Sequence, residues 1–133
     1  MTDSNCIFCK IAGGEIPSAT VYEDSEFRVI LDLGPASRGH ALILPKEHFK
    51  DLCELDEQVA AKVLPLAGKI GAAMKQALGC AGFNVVQNNG ETAGQTVFHF
   101  HVHIIQDTRA DQPWLRGSRG RLIRLNSQKS AAA

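Results

Sequence analysis

Apolar residues along the chain follow two periods. Across residues 56–78 they recur at Val59, Val63, Leu66, Ala67, Ile70, Ala73, Met74, Ala77 and Leu78, the three-and-four spacing of one helix face. Asp56 fits the N-cap of that helix and Gly79 its C-cap. Pro65 lies inside it and removes an intrahelical hydrogen bond, so a kink near residues 61–65 or a break into two pieces is expected. Residues 5–12 carry Ile7, Phe8 and Ile11 at helical spacing before Gly13-Gly14, which predicts a second, short helix. Elsewhere the apolar runs are short. Residues 20–23 and 27–31 flank Asp24-Ser25-Glu26 and read as a hairpin. Residues 40–44, bounded by Pro45, form a near-continuous apolar run and read as a buried third strand. Residues 83–87 are a fourth strand, 88–94 a polar turn and 97–105 a fifth strand. Strands in runs with helices set apart predict an α+β fold: a five-stranded antiparallel sheet, covered on one face by the long helix.

Length and charge narrow the reading. A chain of 133 residues, 44% of them hydrophobic, fits one domain, placed at residues 1–110 with a partly flexible C-terminal extension over 111–133. Fourteen basic residues balance fourteen acidic ones, so no global field points to nucleic acid or to an anionic membrane. No apolar run approaches the roughly 18–20 residues of a membrane span, and the start Met-Thr-Asp-Ser-Asn is polar; a cytoplasmic protein is expected. In that compartment the pair Cys6-x-x-Cys9 reads as metal-binding or redox-active, and Cys53 and Cys80 as buried thiols. Between Arg109 and Ala133 stand six basic residues and one acid, Asp111. That composition predicts a solvated tail, with Arg116, Arg119 or Arg121 meeting a phosphate or an acidic acceptor as the alternative.

The fifth strand holds three of the five histidines at spacing two. Alternation puts His99, His101 and His103 on one face and Phe98, Phe100, Val102 and Ile104 on the other. At roughly 3.3 Å per residue, neighbouring imidazoles on one face sit about 6–7 Å apart, close enough for two to touch one phosphate or one metal. One reading is a half-buried strand whose polar positions happen to be histidine. A second is a metal site, since neutral imidazole is the commonest metal ligand. In a third, one imidazole is a nucleophile and its neighbours act as donors or acids around an anion. Metal hydrolases usually set carboxylates beside the histidines, and the nearest acid, Asp107, is four residues past His103, which favours the third. The preceding turn can supply donors. Gly94 lets backbone approach a phosphate, and N–H groups around Gly94 and Gln95, the Thr96 hydroxyl and the Asn88 amide can surround its oxygens.

The run Gly94-Gln95-Thr96-Val97-Phe98-His99-Phe100-His101-Val102-His103-Ile104-Ile105 resembles the signature of the histidine triad (HIT) family of nucleotidyl hydrolases and transferases. The likeness extends upstream through Cys6-Ile7-Phe8-Cys9-Lys10-Ile11, Glu15-Ile16-Pro17, Val21-Tyr22-Glu23-Asp24, Leu31-Asp32, residues 39–48 and Asn84-Val85-Val86, and is strongest to the Hint-like and bacterial-type branch. The resemblance implies release of AMP or GMP from nucleoside phosphoramidates or related conjugates, with His101 attacking the α-phosphorus to form a nucleotidyl-histidine. Alternatives are a dinucleoside polyphosphate hydrolase and a nucleotide-binding interaction protein with little turnover. It further implies that His103 binds the phosphate or protonates the leaving atom, and that His40 sits beside His101. Asp32 would accept hydrogen bonds from ribose hydroxyls, with Leu33, Phe8, Ile11 and Ile16 as apolar neighbours of a purine base. No metal is implied for catalysis. A structural zinc on Cys6, Cys9, His48 and His99 is, and so is a homodimer through the long helix and a strand edge. The family's tryptophan-proline pair near the C-terminus is here Pro113-Trp114, with chain continuing beyond it.

Overall fold

A computed structural model describes residues 2–32, 40–107, 114–116 and 122–124. Strands β1 (Thr20–Glu23), β2 (Phe27–Leu31), β3 (Ala41–Pro45), β4 (Gly82–Val86) and β5 (Val102–Asp107) form one antiparallel sheet in the order β1-β2-β3-β5-β4. Helix α1 (Ile7–Ala12) precedes β1, and α2 (Glu57–Leu78) joins β3 to β4. This is the expected α+β fold, with β3 and β4 displaced by one residue from the predicted bounds. The last strand of the sheet, β5, is an interior one, paired on both sides.

Local chemistry explains the elements. Asp24 turns the first hairpin by accepting from the Glu26 and Phe27 amides, both at 2.8 Å. Asp56 caps α2 by accepting from Gln58 and Val59, and Gly79 ends it in the left-handed conformation at φ 67°. Pro65 does not split α2, which runs through it for 22 residues. Ala61, whose carbonyl loses a donor, and Pro65 are both exposed, so water can replace the missing bond.

The buried stripe of α2 (Val59, Val63, Leu66, Ala67, Ile70, Met74) packs on Phe27, Val29, Ala41, Ile43, Phe100, Val102 and Ile104. The other face of the sheet is not open as expected. Ile30, Leu42 and Leu44 pack there against Ala12, Phe8 and Ile11 of α1. A short helix with one apolar side must bury it, and α2 leaves it only this face.

The predicted fifth strand starts late, at Val102 rather than residue 97. Its ladder to β3 runs only from Ile43↔Val102 to Ala41↔Ile104, and just upstream the Phe100 amide donates to Phe49 O instead. Phe98, expected in the core, is exposed. Cys53 is also exposed, in the turn its amide makes with Asp51 Oδ1, whereas Cys80 is buried as expected. Within the C-terminal extension, Trp114–Arg116 (β6) pairs antiparallel with Leu122–Arg124 (β7); Leu33, Arg119 and Arg121 lie outside the described residues. Among the described residues no helix is long and apolar enough to cross a membrane.

Two glycines of α2 separate packing from propensity. A Cβ on Gly71 would meet the Phe83 ring at 2.1 Å, while one on Gly68 would meet nothing within 4 Å. Alanine in a helix interior ordinarily gains about 0.5–1 kcal/mol over glycine. Gly68→Ala should therefore raise the melting temperature, and Gly71→Ala should lose about 1–3 kcal/mol by overpacking. Thermal unfolding of both variants checks this, and a stabilised Gly71→Ala would show that Phe83 moves aside without penalty.

Candidate active site and metal centre

Cys6 is the N-cap of α1, its Sγ accepting from the Cys9 amide at 3.3 Å, so the Cys-x-x-Cys spacing brings both sulfurs to one end of the helix. His48, three residues past β3, and His99, three before β5, complete the group. Cys6 Sγ lies 3.4 Å from His99 Nδ1, Cys9 Sγ 3.4 Å from the same nitrogen and 3.3 Å from His48 Nδ1. All four ligand atoms fall within 4.8 Å of one another. A tetrahedral zinc with bonds of 2.3 Å to sulfur and 2.0–2.1 Å to nitrogen has S···N edges of about 3.5 Å, so the set fits zinc. His99 is prepared for it. Its Nε2 lies 2.8 Å from Pro45 O; donating there leaves Nδ1 a bare acceptor, the usual outer support of a ligating imidazole. Burial pushes its pKa down to about 4, which keeps the ring neutral.

The same residue positions the next histidine. His101 Nδ1 lies 2.7 Å from the backbone carbonyl of His99; the N–H must be at Nδ1, and the lone pair is at Nε2. Phe8 stands edge-on to this ring at 5.0 Å. His101 is 5% exposed and burial lowers its pKa, so the lone pair is unprotonated near neutrality. The His103 ring lies 4.9 Å from it, centroid to centroid.

His40, expected beside His101, has its Nε2 2.8 Å from Nδ1 of His103. Asp32 Oδ2 follows, 3.5 Å from His40 Nδ1. The row Asp32, His40, His103 can pass charge and protons toward the site. Burial first, then His101 and His40, push the His103 pKa down to about 4, with Asp32 opposing.

A cavity of about 320 Å³ opens onto these groups. Phe8, Ile11, Asp32, Thr96, His101 and His103 line it, all expected, with Pro17, Ser18, Ala19, Ile30, Leu31 and Leu42. Ile16 is not on its wall, where Pro17 to Ala19 stand instead. Ile30 and Leu42 were not anticipated, because they enter through register: Ile30 pairs with Leu42, and Leu42 with His103, in one row across the sheet.

The expected phosphate turn differs most. Gln95 is 2% exposed; its Oε1 accepts from Gly90 N, its Nε2 donates to Lys50 O and Val97 O, and its own amide donates to Gly90 O. Gly94 N donates to Glu91 O. Both amides are thus used inside the turn, and Gln95 is a brace. Gly94, at φ 101°, holds the turn beside the Asn88 amide, which a Cβ there would approach to 3.7 Å. The Thr92 and Thr96 hydroxyls and the Asn88 amide are side-chain donors of the turn, and Thr96 lines the cavity.

The HIT domain model matches residues 13–110. An adenosine 5′-monophosphoramidase of Schizosaccharomyces pombe is 45% identical over 101 residues, 76% of this chain and 73% of that protein. An adenylylsulfatase of Arabidopsis thaliana is 40% identical over 128 residues, 96% of this chain but 65% of the relative. The crystal structure of a zinc-bound histidine triad family protein from Mycobacterium smegmatis superposes with a TM-score of 0.75 at 33% identity, covering 96% of this chain and 88% of that one. Sequence match, sheet order and the row of histidines agree, and the chain belongs to the HIT family.

Proposed function

We propose that this protein is a nucleotidyl hydrolase or transferase that releases AMP or GMP from nucleoside phosphoramidates or related conjugates through a nucleotidyl intermediate on His101. The observation that carries this is the bond from His101 Nδ1 to His99 O at 2.7 Å, which leaves Nε2 as a neutral nucleophile on the wall of the cavity. Phe8, Ile11, Ile30 and Leu42 offer apolar surface to a base, and Asp32 a carboxylate to ribose hydroxyls. The Nε2 lone pair bonds to the α-phosphorus as the bond from phosphorus to the leaving nitrogen or oxygen breaks. The electron pair goes with that atom, which takes a proton from His103. Bound phosphate raises the proton affinity of His103 against the burial that lowers it, and Asp32 acts in the same direction. Water then attacks phosphorus, returns a proton to His103, and the P–N bond to His101 breaks with its electron pair restored to Nε2. One water is consumed, and the conjugate leaves as nucleoside monophosphate and protonated leaving group.

The relatives named as a phosphoramidase and an adenylylsulfatase support this class. Dinucleoside polyphosphate hydrolysis and a binding protein with little turnover are separated from it by assaying adenosine 5′-phosphoramidate and diadenosine polyphosphates in parallel. His101→Ala should lower turnover by roughly 10⁴-fold or more while AMP binding persists, and His103→Ala should lower it less. Near-wild-type turnover by His101→Ala, with no nucleotidyl adduct trapped on the wild type, would sink the assignment.

A structural zinc on Cys6, Cys9, His48 and His99 belongs to the proposal, with no step of the reaction routed through it. Its donors come together only in the fold, so binding adds to stability. Chelation should lower the melting temperature, and activity measured well below that temperature should fall far less than in His101→Ala. Elemental analysis giving less than about 0.2 zinc per chain, with both cysteines freely reactive, would make them ordinary thiols.

We also propose a homodimer through α2 and the free edge of β4. The free edge and the exposed side chains of Leu64 and Val85 support it, since such an edge otherwise invites uncontrolled pairing. Light scattering should give twice the chain mass at micromolar concentration, and a monomer would overturn it. Four free cysteines suit a cytoplasmic setting, and residues 1–110 would be the catalytic unit, with 111–133 as its extension.

A further inference from the structure

The pair Cys6-x-x-Cys9 has the spacing of a redox dithiol as well as of a metal site, and a structural metal leaves the redox chemistry unused. The two sulfurs lie within 4.8 Å of each other. Cys6 and His48, two of the four clustered residues, line a cavity of about 460 Å³ that Asp3, Lys50 and Phe98 also border. Cys9 and His99 are not on its wall and are 5% and 0% exposed. Resting on the zinc and nucleotidyl-transfer readings above, we propose that Cys6 and Cys9 are a site of reversible oxidation by a small hydroperoxide, and that the disulfide they form releases zinc and disarms His101.

The step balances with hydrogen peroxide as oxidant. The Cys6 sulfur, the one on the cavity wall, attacks a peroxide oxygen as thiolate; the O–O bond breaks, hydroxide leaves with its electron pair, and Cys6 carries a sulfenic acid. The Cys9 thiolate then attacks the Cys6 sulfur and the S–O bond breaks, releasing a second hydroxide. The sulfurs lose two electrons, the peroxide gains them, and two protons from solvent turn both hydroxides into water. The effect on His101 follows from geometry. His99 Nε2 is spent on Pro45 O, so its Nδ1 is an acceptor facing both sulfurs at 3.4 Å. A thiol can donate to that nitrogen and a zinc ion can bind it, but a disulfide sulfur does neither. Oxidation therefore leaves an unpaired acceptor on a fully buried ring, in the residue whose carbonyl holds His101 Nδ1. Relief requires His99 to shift, and the nucleophile shifts with it. Cys53, exposed, and Cys80, buried, stand outside the cluster and serve as internal controls.

Zinc-loaded protein is treated with equimolar hydrogen peroxide beside a chromogenic chelator, and the remaining thiols are alkylated before tryptic mass analysis. Cys6 and Cys9 fall in one peptide, residues 1–10, so their disulfide appears as that peptide unalkylated and two hydrogens lighter. One zinc should leave per disulfide, the melting temperature should fall, and turnover of adenosine 5′-phosphoramidate should drop by about tenfold or more. A thiol reductant with added zinc should restore all three. Cys53→Ser should respond as the wild type does. Protein that is chelated but kept reduced retains its thiol donors and should lose less turnover than the disulfide form. Oxidation of Cys53 while Cys6 and Cys9 remain alkylatable would overturn the proposal. So would a complete Cys6–Cys9 disulfide with melting temperature and turnover unchanged, or with turnover equal to that of the chelated, reduced protein. If the reduced protein carries no zinc, or turns over no phosphoramidate, the corresponding earlier reading fails, while the disulfide and the melting temperature still decide whether this pair is the oxidised site.

Discussion

His99 is fully buried, and three of its groups are tied to three different parts of the chain. Its Nε2 reaches the Pro45 carbonyl at the end of β3, its Nδ1 faces both cysteines of α1, and its own carbonyl receives Nδ1 of His101. A buried polar group left unpaired costs about 1–3 kcal/mol, so these bonds cannot be given up one at a time without penalty. The first fixes the tautomer, the tautomer frees the nitrogen that meets the sulfurs, and the backbone so held fixes the tautomer of the next histidine. A metal at the cysteines would act on His101 through orientation, because His99, which would ligate it, also holds His101 Nδ1 with its carbonyl.

α1 shows why such a tie is needed. Six residues are too few to form a stable helix alone. What holds it is the packing of Phe8, Ile11 and Ala12 on the sheet, together with the two cysteines at its start. In return its Phe8 ring stands against His99 and His101 and adds to the burial that lowers their pKa values, and the helix lines the space on both sides of Thr96. The two cysteines and the wall of the cavity formed by Phe8 and Ile11 are therefore one element read on two sides.

What was legible in the sequence was whatever local chemistry decides. The caps Asp56 and Gly79, the Asp24 turn and the apolar strands are short-range matters. The histidine spacing was informative for a partly wrong reason: only His103 lies in the strand, while His99 and His101 stand on the bent approach to it. They keep to the histidine face because Pro45 ends β3 and its carbonyl captures His99. Gln95 read as a phosphate contact by its place beside Gly94, but burial and the carbonyls of Lys50 and Val97 make it a brace. His40 turned to His103, and Ile30 and Leu42 joined the pocket, through pairings between distant strands. Spacing along one strand cannot reveal a register between three.

The electrostatics follow from the same burial. The chain has no net charge, and the turn before the histidines keeps its Gly94 and Gln95 amides for itself. An anionic phosphate in the cavity would therefore meet chiefly neutral imidazoles, the Thr96 hydroxyl and the Asn88 amide. Apart from the Asp32 carboxylate on the far side of His40, the histidine end of the cavity carries no fixed charge, and the His101 lone pair is left free. The counter-charge then arrives with the substrate: a phosphate against His103 favours its protonated form, and Asp32, behind His40, favours it too. In the proposed reaction, binding thus creates the acid that the departing atom requires, on the one histidine of the three whose Nδ1 is tied to a carboxylate through a second imidazole.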